Sequence, residues 1–300
     1  MAQLRGWEYK TFPLNTGFSV PAVGLGTWQA TPTSIAAPVA HALRSGYRHI
    51  DTAFAYGNES GVGEGIRLSG VPRSDIFLTT KLDNSWHKRA AEGLDKSLAA
   101  LGVEYVDLFL MHWPASLDPE DAGRGAYKDW DFVDTWRAMQ ELVGTGKVRS
   151  IGVSNFGVRN LERLLADPSC KIVPAVNQIE LHPWNPSPKL VAYCAEKGIH
   201  VSGYSPLGSG RVPVGDDETL AAVAAAKGRS IQQVLLQWGV RKGWSVLPKS
   251  VNSERIEANF ALDGWDLTDE EVARIDAIKS RAKVCGDSWL PVKVFFGDDE

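Results

Sequence analysis

The chain has 300 residues, 44% of them hydrophobic, and a formal net charge of −4 with both signs interspersed. That is enough apolar content for a large core, and too little charge imbalance to mark a nucleic-acid or membrane partner. Cys170, Cys194 and Cys285 stand far apart with no C-x-x-C or other metal-ligand spacing, so reduced thiols, a cytoplasmic setting and no bound metal are expected.

The N-terminal MAQLRGWEYKTF lacks an apolar h-region, and no apolar run approaches ~18 residues, so neither a leader nor a membrane span is expected. Residues 9–20, YKTFPLNTGFSV, read as a β-hairpin turning at Asn15-Thr16-Gly17 and placed to plug the bottom of a barrel. Asn58-Glu59-Ser60 matches a glycosylation acceptor formally and carries little weight in a chain with no secretion signal.

Eight apolar, β-branched runs follow: VGLGTW (23–28), HIDTA (49–53), IFLTTK (76–81), VDLFLMHW (106–113), VRSIGVSN (148–155), AVNQIEL (175–181), HVSGYS (200–205) and WSVLPKS (244–250). Between them lie helical spacings, such as Leu94, Leu98 and Leu101, or Trp136, Met139 and Val143. Strands with little polar alternation, separated by amphipathic helices, indicate a parallel sheet covered by helices. Eight such units predict one α/β domain over residues 1–300, a (β/α)8 TIM barrel; an open doubly wound sheet is the rival. The tail DSWLPVKVFFGDDE either lies over a pocket or frays.

In a parallel barrel the C-terminal strand ends share one mouth, where active sites are built. These runs deliver Trp28, Asp51, Lys81, His112, Trp113, Ser154, Asn155, Gln178, Tyr204 and Lys249 to it. Singly, a histidine after an apolar strand is more often a core residue, and a strand-end lysine usually points to solvent. Together, a carboxylate, an ammonium, a phenol and an imidazole converge on one rim. A phenol's pKa near ~10 is too high for easy proton donation at neutral pH, and a nearby ammonium lowers it. Asp51 holding Lys81, and Lys81 tuning Tyr56, make a general acid, while a neutral His112 orients a carbonyl oxygen. No Cys or Ser stands as a nucleophile with a histidine base, so the attacking species comes from outside.

Hydride from a nicotinamide suits this role, yet both G-x-G stretches, VGLGTWQ and GVGEGI, fail the dinucleotide fingerprint at its third glycine. LPKSVNSER (247–255) supplies an alternative anion site, with Lys249 and Ser250 leaving a strand, Asn252 or Ser253 capping a helix and Arg255 in its first turn. Alone, it reads equally as a basic loop with an ordinary cap.

GYRHIDTAFAYGNE (46–59), TTKL (79–82), LMHWP (110–114), IGVSNF (151–156), VNQIELHP (176–183), GYSPLG (203–208) and LPKSVNSERIEAN (247–259) occur in order at set separations. By these motifs the sequence resembles the aldo-keto reductases over nearly its whole length, in style nearest to fungal glycerol dehydrogenases and aldehyde or glyceraldehyde reductases. The resemblance implies a (β/α)8 barrel that works as a monomer, with NADPH extended across its mouth and a small carbonyl compound as substrate. It assigns a catalytic tetrad to Asp51, Tyr56, Lys81 and His112, with Tyr56 as proton donor. It implies that Ser154, Asn155 and Gln178 hold the carboxamide, that Tyr204 stacks on the nicotinamide, and that Ser205, Leu207 and Ser209 follow the pyrophosphate. Lys249, Ser250, Asn252 and Arg255 would grip the 2′-phosphate and Asn259 the adenine, with Thr27, Trp28 and Val251 as further cofactor contacts. Trp28, Tyr56, Asp83, His112, Trp113 and Trp289 would line the substrate pocket.

The sequence departs from that pattern at three places. Ala258 stands where many relatives carry an adenine-binding glutamate, Asp83 where a tryptophan is common, and SGRVPVGDDE (209–218) is short where some members have a closing loop. Asp83 either makes the pocket wall polar, favouring small hydroxylated aldehydes over bulky apolar ones and uronates, or caps the next helix while Trp86 supplies the wall. Two rival functions remain at this level: a non-catalytic partner protein built on the same barrel, and a lyase using Lys81 as a Schiff base.

Overall fold

The computed structural model describes residues 10–297 apart from 122 and 124. Strands β1 (Thr11–Pro13) and β2 (Ser19–Pro21) pair antiparallel with Phe12 opposite Val20, so the expected hairpin is present; Tyr9 lies outside the described residues. Leu14 donates its N–H to the Phe18 carbonyl at 2.8 Å, and Gly17 turns the chain at φ +84°, a left-handed conformation that suits glycine.

The eight apolar runs form eight parallel strands in sequential order: β3 (Leu25–Gly26), β4 (His49–Asp51), β5 (Phe77–Leu82), β6 (Val106–Met111), β7 (Val148–Ser154), β8 (Val176–Glu180), β9 (His200–Tyr204) and β10 (Ser245–Leu247). Parallel bridges Val23 to Val246 and Gly26 to Lys249 join the last strand to the first and close the ring. Helices α1 (Pro32–Arg44), α2 (Glu59–Ser69), α3 (Ala90–Leu101), α4 (Phe132–Gln140), α5 (Val158–Ala166) and α6 (Pro188–Glu196) follow the first six strands. Helices α7 (Glu218–Lys227) and α8 (Ile231–Arg241) separate β9 from β10, and α9 (Ser253–Phe260) and α10 (Asp269–Asp276) come last. The open-sheet rival is thereby excluded.

The main core lies between the strands and the helices. Leu94, Leu98 and Leu101 enter it from α3, and Trp136 and Met139 from α4. Val143 does not: α4 stops at Gln140, the chain turns, and the side chain is 39% exposed. A second cluster fills the bottom of the barrel, where hairpin residues Leu14 and Val20 meet Phe77, Leu108, Leu110, Ala175 and Val176. The Asn15 amide donates to the carbonyls of Pro174 and Gly198 at 3.1 and 3.2 Å, fixing the hairpin across that end. Asn58 of the formal glycosylation match is fully buried and bonds the carbonyls of Thr27 and Ala30, so no glycan fits there.

Beyond α10 the chain crosses the opposite end of the barrel. Asp287 accepts the N–H groups of Val294 and Phe295, and the Asn160 amide donates to the Val294 carbonyl. Leu290 and Val294 bury against Trp113 and Ala115. Of the two possibilities left open for the tail, covering the pocket is the one seen: Ser288 and Trp289 line the groove, and Leu290 and Val294 pack behind them.

Candidate active site

The strand ends open into one groove with a cavity volume of about 1580 Å³. Asp51, the last residue of β4, is 4% exposed, and Lys81, near the end of β5, is fully buried. The strands that carry them are paired neighbours, so the two side chains meet: Lys81 Nζ lies 2.7 Å from Asp51 Oδ1. The same nitrogen donates to the Thr52 carbonyl at 2.9 Å and to the Tyr56 hydroxyl at 3.2 Å. A short helical turn (Phe54–Tyr56), ended by Gly57 at φ +64°, brings the phenol back over the strand. The His112 ring stands edge-on to the Tyr56 ring, with centroids 5.6 Å apart.

Burial alone would depress the Lys81 ammonium, but Asp51 and then Tyr56 outweigh it, and the group stands above the usual lysine value. Tyr56 departs from the sequence expectation. Burial pushes its phenol above the ordinary value, and Lys81 offsets that only in part. The phenol therefore keeps its proton. His112 is held well below its ordinary value, by burial first and then by the charge of Lys81, and is neutral.

Gln178, on β8, donates its amide to Asp51 Oδ2 at 2.7 Å, a second hold on the carboxylate that the sequence did not reveal. Its side-chain carbonyl has no partner among the described residues. Asn155 donates to the His112 carbonyl at 2.9 Å and to Ser154 Oγ at 3.2 Å, and accepts from the Tyr204 hydroxyl at 2.7 Å. Ser154 in turn donates to the Gln178 carbonyl. Gln29, Asn155, Ser205 and Ser209 all have positive φ and line the groove, so strained backbone gathers at the mouth.

The groove runs on from the tetrad past Ser205, Leu207 and Ser209 to Lys249, Ser250, Val251, Asn252, Arg255 and Asn259. Asn252 caps α9 by accepting the Arg255 N–H at 2.9 Å. Neither Lys249 nor Arg255 pairs with a carboxylate among the described residues, so two cations and a helix start face the groove together. Thr27 and Trp28 line it at the tetrad end; Thr27 Oγ1 donates to the Asp51 carbonyl and Trp28 is 38% exposed. This long cleft fits an extended dinucleotide phosphate by its donor set: carboxamide partners at one end, cations and backbone N–H groups at the other.

Trp113 and Trp289 meet edge to face at 5.4 Å beside His112, so the tail supplies part of the wall. Asp83 lines the groove but also caps the next turn, its Oδ1 accepting the N–H of Ser85 at 3.0 Å and the Ser85 hydroxyl at 2.5 Å. Trp86 stands edge-on to Phe54 with Arg89 over its ring and is not among the residues that line the groove. Sequence reasoning missed Ser230 and Gln232 at the start of α8, Arg211, Val212 and Val214 in the short loop, and Val284, Cys285, Gly286 and Ser288 in the tail. The Ser230–Gln233 capping box was a legible signal for the first pair. Ser288 falls in the tail already read as a possible cover for a pocket, whereas Val284, Cys285 and Gly286 carried no signal.

Comparison with known proteins gives concordant results. The family model described as "Aldo/keto reductase family" matches residues 22–280. Glycerol 2-dehydrogenase (NADP(+)) of Saccharomyces cerevisiae is 43% identical over 304 residues, covering 95% of this chain and 97% of the relative. D-galacturonate reductase of Hypocrea jecorina is 46% identical over 275 residues, covering 87% and 88%. The crystal structure of a Bombyx mori aldo-keto reductase in complex with NADP superposes with a TM-score of 0.82 at 37% identity, covering 89% of this chain and 92% of that one.

Proposed function

The chain belongs to the aldo/keto reductase family, and from that premise we propose that it is an NADPH-dependent oxidoreductase interconverting small hydroxylated aldehydes, such as glyceraldehyde, with their alcohols. The observation that carries the reading is Lys81 Nζ held between Asp51 and the Tyr56 hydroxyl, at 2.7 and 3.2 Å, where the long groove meets the tryptophan-walled pocket.

In this reading the cofactor supplies a hydride, and the protein supplies everything else. Neutral His112 donates a hydrogen bond to the carbonyl oxygen and orients it. Tyr56, protonated because it is buried, delivers a proton to that oxygen as negative charge develops there. Lys81 stabilises the phenolate left behind, and Asp51, gripped by Lys81 and Gln178, keeps the ammonium charged and fixed. Ser154, Asn155 and the free carbonyl of Gln178 hold the carboxamide, and Tyr204 backs the ring. Ser205, Leu207 and Ser209 follow the pyrophosphate, while Lys249, Ser250, Asn252 and Arg255 bind the 2′-phosphate, with Asn259 at the adenine.

Asp83, Asn84, Ser85 and Asp118 put polar groups among the pocket's tryptophans, which favours hydroxylated substrates over long alkyl chains. Glycerol 2-dehydrogenase of Saccharomyces cerevisiae, a relative named for a small polyol, is consistent with that preference. A Schiff-base role for Lys81 is disfavoured because its N–H groups are engaged by Asp51, Thr52 and Tyr56, which keeps it an ammonium.

The test follows NADPH absorbance with glyceraldehyde, aromatic aldehydes, uronic acids and ketones. Turnover is expected, fastest relative to KM with glyceraldehyde. Tyr56→Phe should lower kcat by roughly 10²–10⁴ while NADPH still quenches tryptophan fluorescence. No NADPH oxidation with any carbonyl refutes the reductase reading. A Tyr56→Phe variant retaining over about a tenth of kcat removes Tyr56 as the proton donor.

A further inference from the structure

Glu180 is a buried carboxylate that the mechanism above does not use. It ends β8, its side chain is 1% exposed, and the strand register sets it beside Tyr204 on β9. Oε1 lies 2.9 Å from His182 Nε2, and that imidazole is fully buried. The remaining acceptor capacity goes to the C-terminal segment: Val284 N–H reaches Oε1 and Cys285 N–H reaches Oε2, each at 2.7 Å. Next to this contact the Ala282 N–H bonds the Trp184 carbonyl at 3.0 Å.

Burying a carboxylate is costly unless its oxygens are met by donors. Here one carboxylate meets an imidazole on its own strand end and two backbone N–H groups from a segment over 100 residues later in the chain. The residues that follow, Cys285, Gly286, Ser288 and Trp289, form the part of the pocket wall that meets Trp113. The short 2.7 Å bonds to a charged acceptor fix that wall in height and direction relative to Tyr204.

We propose that Glu180 is a positioning residue for substrate: it pins the C-terminal segment at Val284–Cys285, so that the pocket wall is preset before the carbonyl compound arrives. The inference rests on the reductase reading for its consequence in kinetics, though not for its structural part. A preset wall spares the substrate the cost of ordering the segment, which enters binding and leaves the chemical step alone.

Glu180→Gln keeps the side chain's shape but turns one acceptor into an N–H₂ group, so one of the two backbone N–H groups faces a donor. In the full-length protein KM for glyceraldehyde should rise about tenfold with kcat within about twofold, and NADPH affinity by fluorescence quenching should stay within about twofold. Trypsin should cut after Arg281 and Lys283, read by intact mass, roughly tenfold faster than in wild type. Trp289→Ala, which removes the wall's indole, should raise KM in the wild type and add little in the Glu180→Gln background. Unchanged KM together with an unchanged cleavage rate overturns the proposal, as do additive effects of the two substitutions. Loss of global structure with no preferential cutting at Arg281 and Lys283 also overturns it, since Glu180 would then support the barrel at large. If wild type lacks turnover altogether, the reductase reading has failed, and the cleavage rates still decide whether Glu180 pins the segment.

Discussion

Arg255 carries its role through two separate parts. Its backbone N–H is taken by the Asn252 cap, which fixes the start of α9, while its guanidinium faces the groove with no carboxylate partner among the described residues. A phosphate in the groove would meet a cation that nothing else neutralises, and such charge-assisted bonds are worth roughly 1.5–3 kcal/mol. Arg255→Ala is therefore expected to weaken NADPH about tenfold or more while leaving NADH within about twofold, measured by quenching titrations with both. Equal losses for the two would show that the side chain braces α9 and does not read the 2′-phosphate. Lys81 is the contrasting case: a fully buried ammonium whose N–H groups are engaged by other parts of the chain, so its charge serves neighbours inside the site.

At the level of elements, the strands were legible because a parallel strand is buried on both faces and reads as an unbroken apolar run. Their ends were legible for the same reason: Asp51, Lys81 and Gln178 interrupt those runs where the sheet meets the groove. Side-chain direction was not. Asp83 lines the groove and also turns to cap a helix, and the choice is made by Ser85, two residues on. Val143 continued the helical spacing past the point where α4 ends, because periodicity does not record a turn. The tail's contact with β8 depends on Glu180 and two backbone N–H groups, and backbone donors leave no mark on a sequence. The hairpin, by contrast, was read and is checkable. Val20 is fully buried at the bottom of the barrel, so Val20→Ala should cost about 2 kcal/mol for two lost methyls and their cavity. Since the groove opens at the other end, kcat should hold. Denaturant melts and initial rates test this, and a fall in kcat without a fall in stability would contradict it.

Across the whole molecule, burial holds His49 at about 4, His87 at about 3 and His200 at about 4, and holds His112 well below its ordinary value. The folded protein refuses protons that the unfolded chain accepts near pH ~6.5, so stability falls as pH drops below that value toward the folded pKa values. Each such histidine contributes a loss of about 1.4 kcal/mol per pH unit in that window. Urea midpoints should therefore fall steeply between pH 7 and pH 5, and equal midpoints would show that these imidazoles are not kept neutral by the fold. The bridges from Val23 to Val246 and from Gly26 to Lys249 bear on a different matter, the order in which a ribosome makes the parts. The first barrel strand waits for its second neighbour until the seven other barrel strands have been synthesised, because pairing this distant in sequence cannot precede the arrival of its partner. Lys249, Ser250 and Arg255 emerge with or just after that last strand, and the segment held by Glu180 comes later still. A nascent chain thus holds all four of Asp51, Tyr56, Lys81 and His112 long before Lys249 and Arg255, and the cationic end of the groove is assembled only when the ring can close.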